Sequence, residues 1–264
     1  MLRIALLTTA VLAVATAHAK IVTEIIPYQH GALECRGYLA CDDALTGPRP
    51  GVLVVHEWWG LNEFAKEKAR ALAELGYVAL AVDMYGRGQV VTTAEEAGKL
   101  AGQFRGDAAL WRERAKAGLD ALAADPRVDP RKIAAIGFCF GGSTVLQMAA
   151  AGYDLAAVVS FHGSLAAIPE ADAARIKARI LVLHGAADTL VPDEALKAFQ
   201  DSLRKSRADW QVVVYGGAKH SFTNPEADKL NMAGVGYDAT TARRAWAQMR
   251  ALFDETFGRV ERGQ

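Results

Sequence analysis

The residues best suited to covalent chemistry lie in the segment Gly137-Phe138-Cys139-Phe140-Gly141-Gly142, between a predicted strand and a predicted helix. The spacing predicts a tight turn that lifts the cysteine out of a sheet, because a side chain at Gly137 or Gly141 would collide with neighbouring backbone. The helix N-terminus that follows favours a thiolate. We therefore predict that Cys139 is a nucleophile. The alternative is a buried structural cysteine, a common residue in protein cores.

An acid and a base follow this cysteine along the chain. Asp188 comes just after the predicted strand over residues 179–183, and His220 follows the strand that ends at Tyr215. The order of nucleophile, acid and histidine is that of α/β-hydrolases. Open parallel sheets bind their ligands beyond the carboxyl ends of the strands, so the three side chains are expected to converge there. The sequence predicts a triad of Cys139, His220 and Asp188.

Other residues compete for the acid and base roles. Asp188 is also placed to cap the next helix, which would leave Asp193 as the acid. His220 is alternatively an ordinary loop histidine. His162 and His184 lie closer to their strands and precede the wrong partners.

A third motif, His56-Glu57-Trp58-Trp59-Gly60, follows the first predicted core strand. It lacks the second histidine of a zinc protease, and no other His/Cys cluster has ligand spacing, so we expect neither metal nor cofactor. In α/β-hydrolases this loop donates one oxyanion-hole N–H, and the residue after the nucleophile donates the other. These residues are Trp58 and Phe140. The alternative is a surface loop with packed tryptophans, but a carboxylate held between His and Trp is costly to bury without a purpose.

Five motifs in order resemble the dienelactone hydrolase family, over roughly residues 21–257. They are His56-Glu57-Trp58-Trp59-Gly60, Asp83-Met84-Tyr85-Gly86-Arg87, Gly137-Phe138-Cys139-Phe140-Gly141-Gly142, His184-Gly185-Ala186-Ala187-Asp188 and His220-Ser221-Phe222. The resemblance implies a Cys-His-Asp triad on a single domain without a large cap. It also implies that Glu57 takes part in converting Cys139 to the thiolate when substrate binds.

The resemblance is weaker for substrate recognition. Family members that act on chlorocatechol-pathway lactones hold the substrate carboxylate with two arginines. One of these matches Arg87, which the resemblance therefore implies as a substrate-binding residue. The second would fall at Thr223-Asn224, where this chain has no arginine. The dienelactone substrate is thus not implied.

Strand and helix patterns alternate through most of the chain, which predicts a mostly parallel, doubly wound α/β sheet with helices on both faces. We find no repeat or linker, so residues 20–264 are predicted to form one domain. Predicted strands cover residues 21–29, 32–41, 51–56, 77–82, 132–137, 156–161, 179–183 and 210–215, and predicted helices cover 62–75, 93–124 with a break near Gly106, 141–151, 192–206 and 238–257.

The N-terminus has the layout of a secretory signal peptide. Arg3 precedes an apolar run over residues 4–15, and Ala17-His18-Ala19 fits a small-residue cleavage site. We predict a signal over residues 1–19, a mature chain from Lys20, and export to the periplasm. The alternative is an uncleaved anchor or a buried first helix. No second apolar run is long enough to cross a membrane.

The chain has three cysteines, an odd number that leaves at least one thiol unpaired. Cys35 and Cys41 lie in one predicted strand, where six residues span ~20 Å. A disulfide requires Cα atoms within about 7 Å of each other. We therefore predict three free thiols, unless a sharp bend at Gly37 brings Cys35 and Cys41 together.

The 264 residues have equal numbers of acidic and basic side chains, and the formal net charge is zero. This balance gives no general attraction to nucleic acid or to anionic membranes. We predict a monomeric hydrolase of small esters or lactones that works through a covalent acyl-enzyme. Two alternatives remain: a non-catalytic binding protein on the same fold, and a thiol redox protein that uses Cys139.

Overall fold

A computed structural model describes residues 20–259, which form one eight-stranded sheet with helices on both faces. The strands are β1 (Ile21–His30), β2 (Leu33–Asp42), β3 (Arg49–Val55), β4 (Val78–Val82), β5 (Val128–Phe138), β6 (Ala157–Phe161), β7 (Arg179–Gly185) and β8 (Trp210–Tyr215). The helices are α1 (Glu63–Ala73), α2 (Ala94–Gly106), α3 (Ala108–Ala123), α4 (Phe140–Ala150), α5 (Glu170–Ala173), α6 (Asp193–Leu203) and α7 (Ala239–Phe257), with a 3-10 turn at Ala227–Leu230.

The strand order is β1-β2-β4-β3-β5-β6-β7-β8. The β1–β2 hairpin is antiparallel and joins β4 antiparallel, whereas all pairs from β4 to β8 are parallel. The carboxyl ends of the six parallel strands therefore meet along one edge of the sheet, where loops can bring distant residues together.

The strands at the centre of the sheet are buried on both faces. In β3, Leu53 and Val55 pack into one apolar cluster, and Val52 and Val54 pack into the other. Successive side chains of a strand point to opposite faces, so a strand covered on both sides must be apolar throughout. The first cluster includes side chains of α2, α3, α4 and α6, and the second includes side chains of α1 and α7. The doubly wound arrangement is confirmed, and residues 20–259 include no large cap.

Helix boundaries follow local capping signals. The Asn62 side chain accepts a hydrogen bond at the start of α1, and that of Asp238 does so at the start of α7. Asp107 ends α2 and caps α3 through its side chain, which produces the predicted break near Gly106. The structure differs from the sequence prediction mainly in two places, and the other element boundaries differ by at most three residues. Strand β5 begins four residues earlier, at Val128, and the short helix α5 had no clear signal.

The predicted signal over residues 1–19 lies outside the described residues, so export stays a prediction, testable by N-terminal sequencing of the exported protein. Within residues 20–259, no helix has both the length and the apolar character needed to span a bilayer.

The three cysteines are separate thiols in the structure. Cys35 and Cys41 lie six residues apart in the extended strand β2, and β2 pairs with β1 without a bend at Gly37. Both side chains are almost fully buried, and burial raises the pKa of Cys35 to about 11. Cys139 is more accessible than either of them.

Thiol titration tests this arrangement. We expect three reactive thiols in denatured protein and one rapidly reacting thiol, Cys139, in native protein, because reagents reach buried thiols only after unfolding. The measurement is release of the coloured product from a disulfide reagent, with Cys139→Ala as control. A count of one in denatured protein would show that Cys35 and Cys41 are bonded.

Candidate active site

The backbone around Cys139 has a strained conformation that its neighbours make possible. Cys139 stands between β5 and α4 with φ of 53° and ψ of −113°, in a region that side chains other than glycine rarely adopt. A Cβ added at Gly137 would lie 2.0 Å from the Gly141 carbonyl oxygen, and one at Gly141 would lie 2.2 Å from the Val55 carbonyl oxygen. Both glycines are therefore required for the turn, as the sequence predicts.

A buried histidine, His162, holds this turn through a hydrogen bond to its backbone. The backbone N–H of Cys139 donates to the carbonyl oxygen of Phe161 at 3.0 Å and to Nδ1 of His162 at 3.1 Å. Nε2 of His162 lies 2.7 Å from Oγ1 of Thr223. Burial, and then the nearby His220, lower the pKa of His162 well below its ordinary value. His162 is thus neutral: Nδ1 accepts from Cys139, and Nε2–H donates to Thr223.

The sequence indicates His162 only as a competing base. A histidine directly after a buried strand was the available signal, but its partner is the backbone N–H of residue 139, which the sequence does not reveal.

His220 and Asp188 form a buried pair beside the cysteine. Nδ1 of His220 lies 2.8 Å from Oδ2 of Asp188, and each residue is only 4% exposed. Nε2 of His220 has no hydrogen-bond partner among the described residues, but the Cys139 side chain lies close enough to raise the pKa of His220. Asp193 is instead exposed at the start of α6. The geometry therefore brings together the three residues predicted as a triad.

The ionisation of His220 reflects opposing effects. Burial lowers its pKa, but the sulfur of Cys139 and the carboxylate of Asp188 raise it, and the result lies well above the ordinary value. The contacts with Cys139 and Asp188 thus favour the protonated form of His220.

Glu57 is buried beside this group and has two hydrogen-bond donors. Its carboxylate accepts from Oγ of Ser221 at 2.8 Å and from Nδ2 of Asn224 at 2.6 Å. Burial raises the pKa of Glu57, and the two hydrogen bonds and His220 oppose this increase. Asn224 thus binds Glu57 in the segment where the resemblance places a second arginine. Among the described residues, Glu57 makes no hydrogen bond to Cys139.

The loop after β3 is held by His56. Nε2 of His56 accepts the backbone N–H of Met84 at 3.3 Å, so Nδ1 carries the proton and donates to the Glu57 carbonyl oxygen at 2.5 Å. Burial lowers the pKa of His56 to about 4, which keeps it neutral. Because C=O and N–H point in opposite directions across a trans peptide, this bond turns the N–H of Trp58 away from His56. The Trp58 carbonyl oxygen accepts from the Tyr85 hydroxyl at 2.8 Å.

A cavity of about 270 Å³, hereafter the catalytic cavity, opens above these residues. Cys139, His220 and Trp58 line it together with Arg105, Ser164, Leu190, Ser221, Leu230, Met232 and Val235. Most of the remaining wall is apolar, which suits a small organic molecule with few polar groups.

The cationic side chain at this cavity is Arg105, at the end of α2. Its guanidinium makes no ion pair or hydrogen bond to other residues of the described range 20–259. Arg87 is exposed and does not line the cavity, and its backbone N–H donates to the Glu34 carbonyl oxygen at 2.8 Å. The structure thus does not bring Arg87 to the cavity. No sequence motif marks Arg105, which lies in an ordinary amphipathic helix.

A family model described as the dienelactone hydrolase family matches residues 35–257. The chain belongs to the dienelactone hydrolase family. It is therefore a hydrolase on the α/β-hydrolase fold. Protein usf from Aquifex pyrophilus is 31% identical over 237 residues, which is 88% of this chain and 98% of that protein. A protein from Yersinia pestis that is provisionally named a carboxymethylenebutenolidase is 29% identical over 84% of each chain.

Solved structures agree with this membership. A dienelactone hydrolase-like promiscuous phosphotriesterase, P91, from metagenomic libraries is 48% identical with a TM-score of 0.88, over 91% of this chain and 100% of its own. A structure named m3DLH is 46% identical, also with a TM-score of 0.88, over 90% and 99% of the two chains.

The low pKa of His56 predicts a dependence of stability on pH. Its folded pKa of about 4 lies below the ordinary value of 6.5, so the unfolded chain binds the additional proton between these values. The contribution of neutral His56 to the free energy of unfolding is therefore complete above pH ~6.5, and it declines as the pH falls towards 4. In His56→Gln we expect the decline to be shallower by up to about 1.4 kcal/mol per pH unit.

Urea unfolding at several pH values between 4 and 8 measures this slope. His162 and His184, whose pKa values burial also lowers, add to the decline in both proteins, so the comparison depends on the difference between them. Equal slopes in wild type and variant would contradict the assignment of a neutral His56.

Proposed function

We propose that this protein hydrolyses small carboxylic esters or lactones, with Cys139 as nucleophile, His220 as acid and base, and Asp188 as the group that orients His220. The observation that carries the proposal is the buried His220–Asp188 pair, 2.8 Å apart, beside a cysteine held at the strand-to-helix turn. Membership in the dienelactone hydrolase family supports the same reaction class.

In the first half of the reaction, the Cys139 thiolate attacks the carbonyl carbon and the C=O electron pair moves onto oxygen. Collapse of this intermediate breaks the C–O bond to the leaving group. The departing oxygen takes the proton from Nε2 of His220, and the acyl group remains on Cys139 as a thioester.

In the second half, neutral His220 takes a proton from water as the water oxygen attacks the thioester carbon. Collapse releases the carboxylic acid and restores the thiolate beside protonated His220. Asp188 keeps the Nδ1–H of His220 directed towards itself, so that Nε2 is the nitrogen that exchanges protons.

We assign the oxyanion hole to the backbone N–H groups of Trp58 and Phe140. Phe140 is the first residue of α4, so its N–H has no acceptor within the helix. The hydrogen bond from His56 to the Glu57 carbonyl supports the required direction of the Trp58 N–H. Donors fixed before the reaction stabilise the developing oxyanion without reorganisation.

Glu57 is proposed to favour the ionised pair of Cys139 and His220. Its carboxylate interacts with His220 electrostatically and is held by Ser221, the residue that follows His220. A negative charge near His220 stabilises the imidazolium, and the imidazolium stabilises the thiolate. In this chain Glu57 thus acts through His220 and not through a direct hydrogen bond to Cys139.

Phosphotriesters are a second candidate substrate class. The observation that favours them is the 48% identity to the structure described as a promiscuous phosphotriesterase. An aryl dialkyl phosphate assayed beside aryl carboxylic esters compares the two classes directly.

The triad assignment predicts which carboxylate matters. We expect Cys139→Ala to abolish turnover of p-nitrophenyl acetate, and His220→Ala to lower kcat by ~10⁴-fold. Asp188→Asn should lower kcat strongly because His220 loses its orientation, whereas the matched variant Asp193→Asn should retain wild-type activity. Circular dichroism and thermal melting check that the variants fold. An inactive Asp193→Asn with an active Asp188→Asn would move the acid to Asp193.

Substrate charge is the subject of a second test. The binding of a substrate carboxylate by Arg87 stays a prediction. Arg105 is the better placed candidate for this role, because it lines the catalytic cavity and Arg87 does not. Guanidinium groups suit carboxylates because both are planar and can form paired hydrogen bonds. We expect Arg105→Met to lower kcat/KM for the p-nitrophenyl monoester of glutaric acid by roughly 10- to 100-fold, since one charge contact contributes about 1–3 kcal/mol.

The neutral p-nitrophenyl pentanoate, of similar length, should be hydrolysed by Arg105→Met at nearly the wild-type rate. Arg87→Met is the matched variant outside the cavity. A selective loss in Arg87→Met would assign the anion to Arg87, and equal losses on both esters in Arg105→Met would exclude charge recognition by Arg105.

A further inference from the structure

A second cavity lies directly beside the catalytic cavity. Its volume is about 200 Å³, and it shares two lining residues, Arg105 and Ser164, with the cavity that contains Cys139. Its apolar wall is formed by Trp111, Leu146, Leu165, Ile168 and Phe199. The shared residues make the two spaces neighbours across a single boundary.

Helix α4 brings this second cavity close to the nucleophile. Ser143, whose backbone N–H donates to the Cys139 carbonyl oxygen at 3.2 Å, lines it, as do Leu146 and Gln147 further along the helix. One turn of helix advances about 5.4 Å, so the wall begins roughly one turn from Cys139. A substituent of a molecule bound at Cys139 can therefore reach it.

Several polar groups of this wall already have hydrogen-bond partners, whereas Arg105 stands at the boundary with the catalytic cavity. Oγ of Ser143 donates to the Ser164 carbonyl oxygen at 3.0 Å, and Nε1 of Trp111 donates to Oγ1 of Thr144 at 2.7 Å. Oε1 of Gln147 accepts from Arg112 at 3.0 Å. Such groups gain little from a polar ligand.

Arg112 is occupied as well, since its guanidinium also pairs with Asp172 at 2.6 Å. Away from Arg105, at the boundary with the catalytic cavity, the surface that remains for contact is largely apolar and is made of aromatic and branched side chains. An apolar group that moves there from water is stabilised by the hydrophobic effect.

We propose that the second cavity is a specificity subsite that takes an apolar substituent of the ester substrate, an aryl ring or an alkyl chain of about six carbons. An apolar cavity of about 150 Å³ is large enough for benzene, so about 200 Å³ accommodates a group of this size. This inference rests on the proposed ester hydrolysis and specifies its substrates: the reacting carbonyl lies at Cys139 and the apolar substituent lies beyond Ser164.

The subsite predicts a preference for longer substrates. Each methylene that enters an apolar site contributes ~0.8 kcal/mol, or about fourfold in kcat/KM. We expect kcat/KM of the wild type to rise along p-nitrophenyl esters from acetate to hexanoate, or along acetate esters with alcohols of increasing length. The series that rises identifies the part of the ester that enters the subsite.

The test fills the subsite without altering the catalytic cavity. Ala167 lines only the second cavity and is exposed, so Ala167→Trp can be accommodated by the fold. Ala174 is also exposed, follows α5 and lines neither cavity, so Ala174→Trp is the matched control. We expect Ala167→Trp to lose at least tenfold in kcat/KM for the longest preferred ester and to retain the wild-type value for the acetate, while Ala174→Trp retains both.

A second variant enlarges the subsite. Ile168 is half-buried in its wall, and Ile168→Ala should raise the relative kcat/KM for esters with substituents bulkier than phenyl. If wild type hydrolyses the acetate but neither series depends on length, or if Ala167→Trp slows all esters equally, the subsite is overturned while ester hydrolysis stands. If no ester is hydrolysed by folded wild type, the proposed function itself fails.

Discussion

The left-handed backbone at Cys139 is the constraint on which the rest of the site depends. A cysteine rarely adopts a φ of 53°, and such a conformation persists only where the surrounding structure holds it in place. Gly137 and Gly141 lie so close to neighbouring backbone that neither position has room for a Cβ atom. Helix α4 begins immediately after the turn. The strain therefore places the sulfur at the carboxyl edge of the sheet and at the positive end of a helix in one step.

Buried polar groups around this turn each have a specific partner. His162 accepts from the Cys139 backbone, His56 bridges the loop after β3 to Met84, and Glu57 accepts from two side chains. Because unsatisfied polar atoms in a protein interior are costly, such networks hold loops in one arrangement. Hydrogen bonds of histidine and carboxylate side chains thus help to position the loops that surround Cys139.

The two neighbouring cavities present different chemical surfaces. The catalytic cavity contains the thiol and the imidazole, and the guanidinium of Arg105 stands at the boundary between the two cavities. The wall of the second cavity beyond this boundary is largely apolar, and the side chains of Trp111 and Ser143 there are already hydrogen-bonded. Asn224 adds a further difference: it holds Glu57 in the segment where the resemblance places an arginine.

Much of the fold and the order of the reactive residues followed from the sequence. Alternating elements, buried strands, helix caps and the glycines around Cys139 are local properties, so short stretches of chain reveal them. The sequential order of Cys139, Asp188 and His220 also restricted the possible triads. The sequence therefore predicted those features that depend on residues close together along the chain.

The tertiary structure decided which side chains meet. Glu57 accepts hydrogen bonds from Ser221 and Asn224, which lie 164 and 167 residues further along the chain. No local sequence pattern predicts these contacts. The same holds for the choice of Asp188 over Asp193 as the partner of His220, and for the presence of Arg105 at the catalytic cavity. The physical reason is that a side chain reaches only a few ångströms, so its partners are set by how distant segments pack, which the residues of one segment cannot specify alone.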